Sequence, residues 1–230
     1  MEKFINLNFD FGLFFTSDFL YNYFIPGLRF SVEVTVVATI LGLFFGTILA
    51  VMRQSSNILI SAPSTFYIVT MRAIPLLMVI LWFFLFIPKF FPELAASGPK
   101  KAAFITFTAF EAAYFAEIMR AGIISIPSGQ RFAASALGMT YFQNLRIVIL
   151  PQAFRNMLPV LLTQVIILFQ DTSLVYVISA FDLFKAFDLA GSTFNDPRAG
   201  YILAALCYFI ICFSLSLLVR RLQKRIAIIR

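Results

Sequence analysis

The sequence predicts an all-α membrane protein with about five transmembrane helices, and three observations carry that expectation. Of its 230 residues, 61% are hydrophobic and 13% charged, whereas soluble domains run at about 45–50% apolar and about 25% charged; the mean hydropathy is +0.92. Two runs, 34–52 and 199–219, carry no charge at all, and each suffices to cross a hydrocarbon core of about 30 Å, which takes about 20 helical residues. Basic side chains crowd some of the segments between spans and are balanced by acids in others, the pattern that sets the orientation of a membrane protein. The chain, 1–230, is read as a single transmembrane domain.

Taken in order, residues 1–18 mix phenylalanines with Glu2, Asp10 and Asp18 and lack the basic start and unbroken apolar centre of a cleavable signal. Segment 1–23 is expected to lie as an amphipathic stretch on the outer surface. In the first span Ala38, Gly42, Gly46 and Ala50 recur every fourth residue, on one face where another helix can approach closely. That neighbour can come from this chain or from a second one. The second span joins 64–71 to 73–87 and is broken near its cytoplasmic end by Pro75, because proline removes a ladder donor and frees carbonyls that protein or a wet cavity must satisfy. The bend is either a packed kink or the lining of a pathway.

The third span, 102–124, carries Glu111 at its middle and Glu117 further on. Glu117 and Arg120, three residues apart, share a face and are expected to pair. Glu111 either lines the pathway or pairs with a basic group such as Arg72, and pairing is favoured. The loop 125–151 follows. A short helix runs from Ser128 to Leu137, and Gly138 ends it as glycine commonly ends helices. Thr140 and Gln143 make a T-x-x-Q capping box that starts a second helix, which Pro151 closes before the fourth span, 154–180. The product is a rigid helix–Gly–helix elbow presenting Ala133, Ala134 and Leu137. It has the form of a docking surface; an ordinary re-entry loop is the plain alternative. The fourth span contains LFQDTSLV, with Gln170, Asp171, Thr172 and Ser173 adjacent. The fifth, 199–219, holds Cys207 and Cys212 on different faces of one helix, which excludes a disulfide between them.

With the elbow in the cytoplasm, Arg53, Arg72, Arg120, Arg131, Arg146, Arg155 and the basic residues from Arg220 onward all lie on the inner side, opposed there only by Glu117. The outer segments balance Lys3, Arg29, Lys89, Lys100, Lys101, Lys185 and Arg198 against Glu2, Asp10, Asp18, Glu93, Asp182, Asp188 and Asp196. The asymmetry places the N-terminus outside and the C-terminus in the cytoplasm. The net charge of +7 is therefore topological and no nucleic-acid partner is implied. Absence of histidine removes the commonest metal ligand and acid–base group, and no GxxxxGK[ST] string binds ATP. No cofactor or metal follows from the residues. A membrane enzyme would need clustered catalytic groups and an ion channel a filter loop or charged ring; the sequence supplies neither.

The elbow resembles the EAA loop of ATP-binding-cassette (ABC) importer permeases, E-A-A-x3-G-x9-I-x-L-P. Ala133, Ala134, Gly138, Leu150 and Pro151 match at the required spacing, while Phe132 stands for Glu and Val148 for Ile. MRAIPLLM, AYFAEIMRAGIISIPSGQ, ALGMTYFQNLRIVILPQAFRNMLPVLLTQ and FQDTSLVYVIS are similar to signatures of the polar amino-acid permeases. FQDTSLVYVIS, read with LWFFLFIP, looks most like the glutamate/aspartate members; only the extreme N-terminus and 181–198 fall outside the likeness. The resemblance implies a type I ABC importer permease in the bacterial inner membrane, a translocation subunit working by alternating access on glutamate or aspartate, with glutamine, histidine or another polar amino acid as the alternative. It also implies a second permease subunit, identical or paralogous, two cytoplasmic ATPase subunits that hydrolyse the ATP, and an extracytoplasmic amino-acid-binding protein. Phe132, Ala133, Ala134, Leu137, Gly138, Leu150 and Pro151 become the ATPase-docking residues.

For the substrate, Asp171 is the leading candidate. A charge inside a span costs about 2.5–3.5 kcal/mol on translocon scales, so it faces a cavity or a partner. Its carboxylate suits the α-ammonium of an amino acid, with Gln170, Thr172 and Ser173 hydrogen-bonding nearby; an internal salt bridge or helix cap is the structural alternative. Arg72, the basic residue placed within a span, suits a substrate carboxylate or a lipid phosphate. Glu111 completes the candidate set.

Overall fold

The structure, a computed structural model, describes residues 11–90 and 98–226. Helices account for its regular elements: α1 (Ile25–Arg53), α2 (Ile58–Ala73), α3 (Leu76–Phe90), α4 (Gly98–Ile124), α5 (Ser128–Ala136), α6 (Tyr141–Asn144), α7 (Leu150–Asp171), α8 (Leu183–Thr193) and α9 (Pro197–Ile226). Among the described residues four helical runs, Ser17–Arg53, Gly98–Ile124, Tyr141–Ile178 and Pro197–Gln223, are long and apolar enough to cross a membrane, and the bent pair α2–α3 makes a fifth when counted as one span. This is the predicted all-α architecture.

The stripe of small residues decides the central packing. Ala38, Gly42, Gly46 and Ala50 are all buried, and their partner is α4 of the same chain. A Cβ placed on Gly46 would lie 2.8 Å from both the Ala112 carbonyl oxygen and the Ala116 nitrogen, so the two backbones touch there. Three apolar clusters surround this pair. One joins α1, α3, α4 and the end of α7 through Val34, Ile80, Phe107 and Leu168. A second joins α7, α8 and α9 to the N-terminal turns through Phe14, Phe19, Phe187 and Cys212. The third lies at the elbow end, through Phe115, Met119, Leu145 and Ile149. Val36, Ile40 and Phe44 on α1, and Phe209, Ile210 and Phe213 on α9, face outward, as expected of surfaces solvated by lipid tails.

Two expectations change. Pro75 does not break the second span near one end: it separates α2 and α3, 16 and 15 residues long, which meet at 109°. Ile74 is extended (φ −105°, ψ 135°), because a residue before proline is pushed out of the helical region, and the Pro75 carbonyl then starts α3 by accepting from Met78 and Val79. Pro151 does not close the second elbow helix either. The helix passes from Tyr141 to Ile178 without interruption, so the fourth span begins before residue 154. A wider turn at Leu145–Ile149, in which the Leu150 N–H reaches back to the Leu145 carbonyl, resets the hydrogen-bond register. Pro151 thereby falls in the first turn of α7, where a missing donor costs little. Of the segment 1–23, residues 1–10 lie outside the described residues; Phe14 and Phe19 rest on Phe187 of α8, while Phe15 and Tyr21 are exposed.

Candidate functional site

The elbow is rigid for reasons written in its backbone. At the end of α5, Gly138 adopts φ +79°; its N–H bonds the Ser135 carbonyl at 3.0 Å and that of Met139 the Ala134 carbonyl at 3.2 Å. This is a Schellman closure, which satisfies the last carbonyls of a helix. The capping box is present in both directions: the Gln143 N–H donates to Thr140 Oγ1 at 3.3 Å and the Thr140 N–H to Gln143 Oε1 at 2.8 Å. Asn144 Nδ2 ties α6 to the Arg131 carbonyl at 3.0 Å, and Arg131 Nη2 ties α5 to the Ile123 carbonyl of α4 at 2.9 Å. Between elbow, α1 and α4 lies a cavity of about 340 Å³ lined by Gln54, Ile123, Arg131, Phe132, Tyr141 and Asn144 among others.

Of the residues expected to dock a partner, Phe132 and Leu137 are 72% and 79% exposed, and Ala133, Gly138 and Pro151 are exposed with them. Ala134 turns inward and is buried, and Leu150 is half-buried. Tyr141 and Phe142, which the motif reading passed over, are exposed as well. Their signal was available: large aromatics opening a short helix in a polar loop.

The acidic candidates sit along a seam between α4 and α7. Glu111 is fully buried, and both of its oxygens accept from Gln164 Nε2, at 3.1 and 3.3 Å. Arg72 is not its partner, contrary to expectation. Gln164 lies two turns before Asp171 on one face of α7. Asp171 itself is half-buried, and among the described residues no hydrogen bond or ion pair reaches its carboxylate. It is neither the salt bridge nor the helix cap considered above. Thr172 is fully buried, its hydroxyl donating to the Phe169 carbonyl at 2.7 Å; Gln170 is exposed and Ser173 half-buried.

Arg72 joins a different constellation. Glu117 receives Arg120 as predicted, through Nε at 3.1 Å and Nη2 at 2.5 Å, and also Arg53 Nη1 at 2.5 Å. Arg72 Nη1 stands 3.9 Å from the same carboxylate, and its guanidinium lies 5.3 Å from the centre of the Tyr114 ring. The structure therefore separates Arg72 and Glu117 from the pair Glu111–Gln164.

At the opposite end of the bundle Asp182, counted above among the outer charges, is fully buried. It caps α8, accepting from the Phe184 N–H at 2.8 Å and the Lys185 N–H at 3.1 Å, and the Tyr208 hydroxyl approaches at 3.4 Å. Burial pushes its pKa up to about 6, against the opposing pull of those hydrogen bonds. Ser31 of α1 accepts from the Leu183 N–H at 3.1 Å, so three helices converge on this cap. Local sequence held half of the signal, an Asp immediately before a helical run; its burial by α1 and α9 is non-local.

A helical bundle of four to five spans with a capped elbow defines a class, and the comparisons agree. Residues 38–228 match the binding-protein-dependent transport system inner membrane component, and the chain belongs to that family, as a multi-pass component of the inner membrane. Over 89% of its length it is 46% identical to the glutamate/aspartate import permease protein GltK of Escherichia coli O6:H1, covering 94% of that protein. It is 35% identical to the probable glutamine ABC transporter permease protein GlnP of Bacillus subtilis, over 86% of this chain and 91% of that one. A solved chain described as an amino acid ABC transporter with histidines shares the fold at a TM-score of 0.77 and 31% identity, covering 91% of this chain and 99% of that one.

Proposed function

We propose that this chain forms half of the translocation pathway of an ATP-driven importer that carries the acidic amino acids glutamate and aspartate into the bacterium by alternating access. The observation that carries the reading is the 46% identity to GltK across 94% of that protein. A second permease subunit, like or paralogous, completes the pathway; an extracytoplasmic binding protein delivers the amino acid, and two cytoplasmic ATPase subunits supply the energy. The elbow, within the coupling loop 125–151 of the single permease domain 1–230, docks the ATPase through Phe132, Ala133, Leu137 and Gly138, with Tyr141 and Phe142 added. Charge asymmetry supports an inward-facing elbow, an outer N-terminus with segment 1–23 at the outer surface, and an inner C-terminus.

The geometry supports a mechanical link. Because the helix runs unbroken from Tyr141 to Ile178, a displacement of the elbow moves Gln164 and Asp171 with it. The elbow is also pinned to α4 by Arg131, so both walls of the seam respond together. Asp171, unpartnered among the described residues, holds the substrate ammonium, with Gln170 and Ser173 beside it. Uptake of labelled glutamate into proteoliposomes containing the complete transporter tests the assignment. Unlabelled glutamate and aspartate compete, whereas glutamine, histidine and arginine at the same concentration do not. Equal competition by glutamine rejects the acidic substrate.

A further inference from the structure

The knot around Glu117 is out of electrical balance. One carboxylate stands among three guanidinium groups, from Arg53 at the end of α1, Arg72 near the end of α2 and Arg120 on α4, a surplus of two positive charges. Both carboxylate oxygens are already engaged, Oε2 by Arg53 and Oε1 by Arg120. Arg72 is left over. Its Nη1 is 3.9 Å from Oε2, beyond hydrogen-bond reach, and no other acceptor takes its donors among the described residues. The group is nevertheless held in place by the ring of Tyr114, 5.3 Å away. Its side chain is 41% exposed, against 24% for Arg53 and 30% for Arg120.

A planar fork of donors, backed by an aromatic ring on one face and open elsewhere, matches an oxyanion in two-point contact. Surplus cations in poorly solvated surroundings call for a counter-anion. Two anions share the required chemistry, a lipid phosphate and a substrate carboxylate. Position favours the lipid: Arg53 is the last residue of α1, where the chain leaves its span, and the knot is bonded to neither Glu111 nor Asp171. Basic pockets between membrane helices close to a surface take anionic headgroups. We infer that Arg72 forms an oxyanion site filled by the phosphate of an anionic membrane phospholipid, with Arg53 and Arg120 supplying the attracting field. The inference goes beyond the transport reading and holds whichever amino acid is carried.

The test uses the complete transporter in nanodiscs of phosphatidylcholine doped with phosphatidylglycerol, with retained phosphatidylglycerol counted by native mass spectrometry, with and without glutamate. Wild type retains the lipid. Arg72→Gln lowers retention about fivefold, the factor for one basic residue near an anionic surface, and Arg72→Lys, which keeps the charge but not the fork, falls between. Glu117→Gln raises the surplus to three charges and increases retention; a variant that merely disturbed folding would lose lipid instead. Equal retention in wild type and Arg72→Gln overturns the inference, as does loss in both Arg72→Gln and Glu117→Gln. Displacement of the lipid by glutamate also overturns it and assigns Arg72 to the substrate carboxylate.

Discussion

Asp171 and Asp182 are both acids at helix ends, and their surroundings differ. Asp171 lacks a hydrogen-bond partner among the described residues and is the residue proposed to hold the substrate ammonium. Asp171→Asn keeps shape and removes that charge; losing a charge-assisted contact costs about 1.5–3 kcal/mol, about ten- to a hundredfold. Uptake by reconstituted transporter should fall by that factor while basal ATP hydrolysis persists; unchanged uptake removes Asp171 from the site. Asp182 is occupied in capping α8, and its pKa is raised from the ordinary 3.8 to about 6 by burial. An acid that binds its proton more tightly when folded makes the folded state lose stability as pH rises from the unfolded value through the folded one. The thermal unfolding midpoint of the purified protein should therefore decline between about pH 4 and pH 6. Asp182→Asn, itself a good cap, should flatten that part of the profile; a slope that survives assigns it to other groups.

Among the elements, two glycines separate folding from coupling. At Gly46 any Cβ meets the backbone of Ala112 and Ala116 at 2.8 Å. Gly46→Leu should force α1 from α4, an overpacking of about 1–3 kcal/mol or more, and appear as loss of membrane-inserted protein on immunoblots. Gly138 has nothing within 4 Å of where a Cβ would stand and is constrained by its φ of +79° alone. Gly138→Val pays about 1–2 kcal/mol for the left-handed backbone, which distorts the Schellman closure and not the spans. That variant should insert at wild-type levels yet lose co-purification of the ATPase or substrate-stimulated hydrolysis. Normal coupling would withdraw the docking role of the elbow.

At the scale of the whole molecule, the orientation proposed from the charge asymmetry is open to direct measurement. In a chain with Cys207 and Cys212 replaced by alanine, Asn195→Cys lies between α8 and α9 and Ser128→Cys lies on the elbow, both exposed. A membrane-impermeant maleimide applied to intact spheroplasts should label Asn195→Cys, and Ser128→Cys only after permeabilisation. The reverse pattern would invert the topology.

What the sequence determined by itself is local or additive. Span length, the capping box at Thr140 and Gln143, the glycine stop at Gly138 and the pairing of Glu117 with Arg120 each involve residues within a few positions of one another, and the sidedness still to be measured was proposed from a sum of charges that needs no knowledge of their contacts. The four-residue stripe likewise announced a close helix contact. Tertiary structure alone decided that α4 is its neighbour, that Gln164 rather than Arg72 satisfies Glu111, that Arg53 joins Glu117 and that Asp182 is buried. Those pairs are separated by tens of residues, and their meeting depends on how whole helices pack. Pro151 shows the same limit within one helix: proline removes a donor wherever it stands, but the wider turn before it decided whether that loss ended the helix or was absorbed.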